Sequence, residues 1–367
     1  MPQYFKAHGY YTYAAGKIFH PGISSNNTDD YPLSWSEKPF HPKTEKFMNS
    51  PVCPDRLGIL RKNLICPVDL QTQPYKTLPD IESVSESIRF VENNKNNRKP
   101  YFFALGLHKP HINFRFPSQF LDGLPLDKFY NYTPDIYKPH EMPNVAWNPY
   151  TDVRSRDDFK HMNISFPYGP ISELQSAQIR QAYYASVAYV DDLFGKFISH
   201  IDLDRTVVVI TSDHGWSLGE HAEWAKYSNF EVALRVPLII RSPEFTLPEG
   251  GKRMNIITEL VDIFPTLVDL VHLPSVPSCN YITPMSEQIL CSEGKSLFPF
   301  FKGIGLDQEY FALSQYPRPG MLPTKHPNSD KPKLKNIKIM GYSLRTNHYR
   351  YTLWVRFYAQ NFSRGKF

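Results

Sequence analysis

Residues 10–15, 101–107 and 206–210 are short apolar runs rich in aromatic and β-branched side chains, with little polar alternation. Such runs predict strands buried on both faces of a sheet. Residues 236–240 predict another strand. Elsewhere the apolar spacing changes to three and four. Ile81, Val84, Ile88 and Val91 predict a helix running to about Asn93, with Asp80 as its cap. Ile179, Tyr183, Val187, Val190, Phe194 and Phe197 predict one face of a helix of about twenty residues. Residues 2–8 predict a short helix ended by Gly9. Residues 256–271 carry helical spacing, with Pro265 marking a break or a fresh first turn.

The texture changes after about residue 305. Residues 312–316, 339–345 and 349–357 predict antiparallel strands, with Asn347-His348 at a tight turn between the last two. The pattern predicts an α/β fold: a mostly parallel central sheet with helices on both faces, plus a small C-terminal antiparallel subdomain. The expected boundaries are residues 1–305 and 306–367. Two proline-rich stretches, about 21–78 and 112–170, are far longer than ordinary connections, and such loops usually cover or build sites.

Composition changes this picture little. The net charge of +5 is too mild to imply nucleic acid, though it suits an anionic substrate. No window is long and apolar enough to span a membrane. The four cysteines fall into two sequence-local sets, Cys53 with Cys66 and Cys279 with Cys291, and none has Cys-x-x-Cys spacing. Two local disulfides are the reading, with buried thiols as the alternative. Sequons begin at Asn26, Asn131, Asn163 and Asn361. Together with paired cysteines they favour an oxidising, secretory route, yet no signal peptide opens the chain as written.

Candidate chemistry gathers at strand ends, where open α/β sheets bind ligands. Ser212-Asp213-His214-Gly215-Trp216 follows the 206–210 run, His108-Lys109-Pro110-His111 follows the 101–107 run, and Lys17 and His20 follow the first strand. Downstream, Glu220-His221-Ala222-Glu223-Trp224-Ala225-Lys226 forms a polar loop ending in a lysine. A carboxylate, several imidazoles and two ammonium groups suit charge stabilisation of an oxyanion ester. Each member also has a plain reading: Asp213 as a turn cap, Lys17 as surface charge, Glu220, His221 and Glu223 as a solvated face. One of His108 and His111 is read as structural.

These strings identify a resemblance. Ala15-Gly16-Lys17-Ile18-Phe19-His20, His108-Lys109-Pro110-His111 and Ser212-Asp213-His214-Gly215 resemble the signatures of type I sulfatases in the alkaline-phosphatase superfamily. Longer strings extend the likeness over nearly the whole chain, among them Ser314-Gln315-Tyr316-Pro317-Arg318-Pro319 and Lys338-Ile339-Met340-Gly341-Tyr342-Ser343. They resemble the members that remove 2-O-sulfate from iduronate in dermatan sulfate and heparan sulfate. The resemblance implies catalytic His20, Lys17, His111 and Lys226. It implies Asp213 and His214 as metal ligands, and substrate contacts from Lys17, His111, Lys226, Trp216 and Lys331. It also implies Cys53–Cys66 and Cys279–Cys291 disulfides and a lysosomal or secreted location. Ligand softness alone admits zinc beside His214; the resemblance implies Ca2+.

The family's nucleophile is a formylglycine made from Cys/Ser-x-Pro-x-Arg. That string is absent: Cys53-Pro54-Asp55-Arg56 lacks the spacing, and Ser314 to Arg318 puts the proline one place late. In the family the string and a first strand with paired aspartates precede the Gly-Lys-x-x-His segment. The expectation is an N-terminally incomplete sulfatase, inactive alone. A superfamily phosphoesterase and a non-catalytic binder of sulfated glycans are the alternatives.

Overall fold

The computed structural model describes residues 1–19, 27–55, 57–132, 136–245, 251–280, 282, 290–306, 308–325, 332–360 and 363–364. They form two compact units. The first comprises residues 1–136, 152–165 and 169–201; the second comprises 137–151, 166–168 and 202–367.

In the first unit the strand Tyr11–Gly16 pairs in parallel with Tyr101–Gly106, Gly16 opposite Gly106. Their ends converge closely. A Cβ on Gly106 would lie 1.9 Å from the Lys17 carbonyl oxygen, and one on Gly16, at φ +79, would lie 2.1 Å from the Gly106 oxygen. The absence of side chains lets the Lys17 amide donate to the Gly106 carbonyl at 2.8 Å. The other edge of Tyr11–Gly16 is bonded by the 36–40 segment, with the Phe40 amide donating to Ala14 and the Gly16 amide to Phe40.

The helix Pro79–Asn94 lies against these strands and buries Ser83, Val84, Ser87, Phe90 and Val91 on one face. Phe90 stacks on Phe103 at 4.9 Å and sits 5.0 Å from Tyr13. Leu78, not Asp80, is the N-cap; Pro79 opens the first turn and Asp80 is buried within it. Asp80 is therefore not the expected cap, because its carboxylate serves a distant loop instead.

The helix Glu173–Ile198 begins with a capping box between Ser172 and Gln175. Its buried face is Ala177, Ile179, Ala182, Ala185, Tyr189, Leu193 and Phe197. Val187, expected on that face, is 44 % exposed. The stripe is rotated because alanines form its centre and allow close packing, whereas the large apolar side chains suggested another line. Cys53 and Cys66 form a disulfide with Cα atoms 5.2 Å apart.

In the second unit, Val208–Thr211 pairs antiparallel with Leu238–Arg241. These strands and Tyr101–Gly106 are mostly half-buried, not fully buried as their composition suggests. Among the described residues each belongs to a two-stranded ladder, which leaves side chains partly open. Ala312–Arg318, Ile339–Arg345, Arg350–Tyr358 and Ser363–Arg364 form a four-stranded antiparallel sheet. The Thr346 amide donates to Tyr349 at 2.8 Å, which closes the expected turn at Asn347-His348. Pro265 lies in the first turn of the helix Ile263–Leu270, so it marks a fresh start. Cys279 and Cys291 form the second disulfide. The chain has an α/β fold, with parallel and antiparallel strands and helices packed on them. No helix among the described residues is long and apolar enough to cross a membrane.

Substituting Gly106 with alanine should destabilise the first unit by about 3 kcal/mol or more, the top of the range for overpacking. Thermal unfolding of Gly106→Ala against Gly123→Ala, where an added Cβ meets nothing within 4 Å, measures it; equal melting points would contradict the close approach.

Candidate active site

The first unit supplies one set of strand-end groups. Lys17 follows directly on Gly16. The turn after Tyr101–Gly106 carries His108, Lys109 and His111. Asp80 holds this turn: its carboxylate, 1 % exposed, accepts the His108 amide at 2.6 Å and the Lys109 amide at 3.3 Å. The His108 ring is 3 % exposed, with Nδ1 3.4 Å from Asp80 and Nε2 3.4 Å from Glu45. The Nδ1 approach is an ion-pair distance without hydrogen-bond geometry. Burial disfavours the imidazolium, but the two carboxylates outweigh it and raise the His108 pKa. Burial works against the Asp80 carboxylate too, yet His108 and Lys109 hold its pKa below the ordinary value. Glu45 is lowered by hydrogen bonds from His108 and His41.

Lys109 is buried, and its Nζ donates to the His111 and Asn113 carbonyls, each at 2.7 Å. Desolvation pushes its pKa down to about 7, with Arg115, Arg156 and Lys17 adding like charge and Asp80 opposing them. His111 is half-buried, and its Nδ1 lies 2.6 Å from the Ile112 carbonyl. His108 is thus the structural member of the histidine pair.

The second unit supplies the other set. Thr211 ends its strand, and Asp213 and His214 follow. The loop is fixed by Gly215, whose amide donates to the Ala233 carbonyl at 2.8 Å; a Cβ there would lie 2.0 Å from the Val232 oxygen. A small hairpin pairs Ser217–Leu218 with Trp224–Ala225. Between them Gly219, His221 and Ala222 hold positive φ, as does Ala225. This sharp path returns Lys226 to the start of the loop, with its Nζ 2.9 Å from His214 Nε2. Asp213 Oδ2 is 3.5 Å from the same nitrogen, and the side chain is 67 % exposed. His214 Nδ1 lies 2.8 Å from the Gly215 carbonyl. Asp213, His214 and Lys226 therefore form one cluster.

Glu223 is a correction to the expected solvated face. It is buried, accepts the Asn148 amide at 2.7 Å, and so anchors the Lys226 hairpin. Trp216 is 8 % exposed, which leaves little of its ring for a ligand. Asn131 and Asn163 are exposed, as sequons require. His20, Lys331, Asn26 and Asn361 lie outside the described residues.

Among the described residues no group of three or more His, Cys, Asp or Glu side chains is placed to hold a metal ion. The hard oxygens of Asp213 suit calcium. The imidazole of His214 does not, because one ring nitrogen meets the Gly215 carbonyl and the other faces an ammonium group. Calcium takes about six to eight oxygen ligands, so Asp213 and His214 do not make its site by themselves. Glu45, Asp80 and Glu223 escaped sequence reasoning. Acidic residues in a helix first turn or a polar loop carry no local signal of burial.

The first unit thus holds a strand-end turn with His108, Lys109 and His111, and the second holds an Asp213-His214-Lys226 cluster beyond a strand. The chain belongs to the sulfatase family, hydrolases of sulfate esters: the family model described as Sulfatase matches residues 1–273. It is 45 % identical to the iduronate 2-sulfatases of Mus musculus and Homo sapiens, over 99 % of this chain and 71 % of each relative. A sulfatase of Formosa agariphila is 30 % identical over 74 % of this chain and 52 % of its own length. Among solved structures, a phosphonate monoester hydrolase from Silicibacter pomeroyi superposes with TM-score 0.58 at 17 % identity, over 96 % of this chain and 72 % of that one. A structure in complex with its substrate D-glucosamine-2-N,6-O-disulfate gives TM-score 0.55 at 19 % identity, over 98 % and 75 %. At such identities the superpositions establish the fold.

The buried Lys109 generates a pH prediction. Below about pH 7 it is charged in both folded and unfolded chain, and burial costs stability in full. Above about 7 the folded chain releases the proton, while the unfolded chain keeps it to about 10.4. Lys109 alone therefore adds up to about 1.4 kcal/mol of stability per pH unit across that window. Denaturant unfolding at pH 7 to 10 should show a less positive slope for Lys109→Met than for the native chain; parallel curves would refute the assignment.

Proposed function

We propose that this chain carries binding machinery of a sulfatase acting on the 2-O-sulfate of iduronate in heparan sulfate and dermatan sulfate. The observation that carries the reading is the Lys226–His214–Asp213 cluster at a strand end. Identity of 45 % with iduronate 2-sulfatases over almost the whole chain supports the substrate class. In this reading Lys226 neutralises a non-bridging sulfate oxygen, and Lys17 keeps the sulfate-binding role that the resemblance implies. His214 Nε2, 2.9 Å from Lys226 Nζ, orients the ammonium group. His111 meets the ester oxygen and donates a proton as the alcohol leaves. His20 assists the nucleophile, and Lys331 reaches the uronate carboxylate.

Asp213 contributes to a calcium site whose other oxygens are not among the described residues. Calcium there polarises the sulfate when bound. The formylglycine is not encoded within these 367 residues, because no Cys/Ser-x-Pro-x-Arg string occurs. The chain alone therefore binds a sulfated ligand without turning it over. Exposed Asn131 and Asn163 and two disulfides support a secretory or lysosomal route.

Calorimetry with a 2-sulfated iduronate disaccharide tests both halves of the proposal. Lys226→Ala and His111→Ala should each weaken binding about tenfold, or about 1.4 kcal/mol, and the native chain should release no sulfate. Unchanged affinity in both variants, or measurable desulfation, would overturn it.

A further inference from the structure

Five titratable side chains of the first unit alternate in charge type between two buried carboxylates, Asp29 and Asp80, through the partly exposed His41 and Glu45. Asp29 Oδ2 lies 2.9 Å from His41 Nε2, and His41 Nδ1 lies 3.5 Å from Glu45 Oε2. Glu45 Oε1 is 3.4 Å from His108 Nε2, and His108 Nδ1 is 3.4 Å from Asp80. The His41 side chain is partly exposed, whereas His108 and Asp80 are buried. One helix turn holds the inner end of this series and the segment that leads into Glu45. Asp80 receives the amides of His108 and Lys109, while Glu82 receives the amides of Lys43 and Thr44, next to Glu45. The series ends on the turn that carries His111, whose amide donates to the His108 carbonyl at 2.8 Å.

We propose that this carboxylate–imidazole series is a proton-linked positioning device, in which protonated His108 clamped between Asp80 and Glu45 holds the turn that presents His111. The proposal rests on the reading of His111 as a sulfate contact. Glu45 and His108 are positioning residues and touch no substrate themselves.

The charges that surround the clamp set its direction. Asp80 and Glu45 face His108. Lys109, Arg115, Arg156 and Lys17 act on the same buried region, and Tyr189 is coupled to Asp80 and Arg115. The carboxylates dominate, and the His108 pKa is raised. His41 is raised too, chiefly by its hydrogen bond with Glu45. The stabilisation is therefore complete below the ordinary histidine value of about 6.5. It is lost as pH rises through the higher folded value, when Asp80 and Glu45 lose the cation between them. A turn held this way is tightest in mildly acidic solution.

Glu45→Gln keeps the shape of the side chain and removes its charge. In NMR titrations the His108 midpoint should fall by about one pH unit or more. The pH above which a 2-sulfated iduronate disaccharide loses affinity should fall with it, while affinity at pH 5 stays within about twofold of native. His41→Gln breaks the series at its partly exposed member beside Glu45 and should give a smaller shift in the same direction, which preserves the test if Glu45→Gln does not fold. Unmoved midpoints, or an equal loss of affinity at every pH, would overturn the proposal. The two readings fail separately. If His111→Ala does not affect binding, the sulfate contact is wrong. Amide exchange at His111 against pH, native versus Glu45→Gln, still decides whether the clamp holds the turn.

Discussion

Asp80 sits almost fully buried at the start of a helix, and a carboxylate in that position must be neutralised and hydrogen-bonded to stay charged. Its partners all come from one turn, residues 108 and 109, which follows a strand. The helix, the strand and the turn are thereby tied at one point. The tie works only because the two strand ends beside it lack side chains at Gly16 and Gly106. Close approach brings Lys17 to the same strand end as His108 and Lys109. Removing Asp80 would take the carboxylate away from His108 and Lys109 and leave their buried amides without its hydrogen bonds, a costlier loss than that of a surface pair.

The second unit reaches a similar result by different means. Gly215 packs against the backbone of Val232 and Ala233, and left-handed residues around His221 fold the hairpin back. Glu223 then pins the hairpin through Asn148. Lys226 meets His214 because the backbone path leaves it there. One His214 ring nitrogen faces the Lys226 ammonium group and the other the Gly215 carbonyl, an uncommon setting for a metal ligand. In the first unit His108, Asp80 and Lys109 have shifted titrations because they are buried together.

Much of this was legible in the chain. The Tyr11–Gly16 and Ile339–Arg345 strands, the Pro79–Asn94 helix and the Asn347-His348 turn follow from apolar period and turn chemistry, which depend on near neighbours. The Lys17, His111, Asp213 and Lys226 candidates were visible as polar groups placed after apolar runs. The stripe on Glu173–Ile198 was misjudged at Val187, because alanine-centred faces look weak to any count that favours size. The polar residues Asp80 and Glu223 were misread because acidic side chains near turns are usually solvated.

Taken alone, the amino-acid order determined the main elements and the chemistry available at each strand terminus, since these follow from interactions a few residues long. Only the tertiary structure decided which charges are buried together and which ring nitrogen faces which partner. Those outcomes join residues tens of positions apart, as with Glu45, Asp80 and His108. They turn on the loss of water around each group, which no local pattern records.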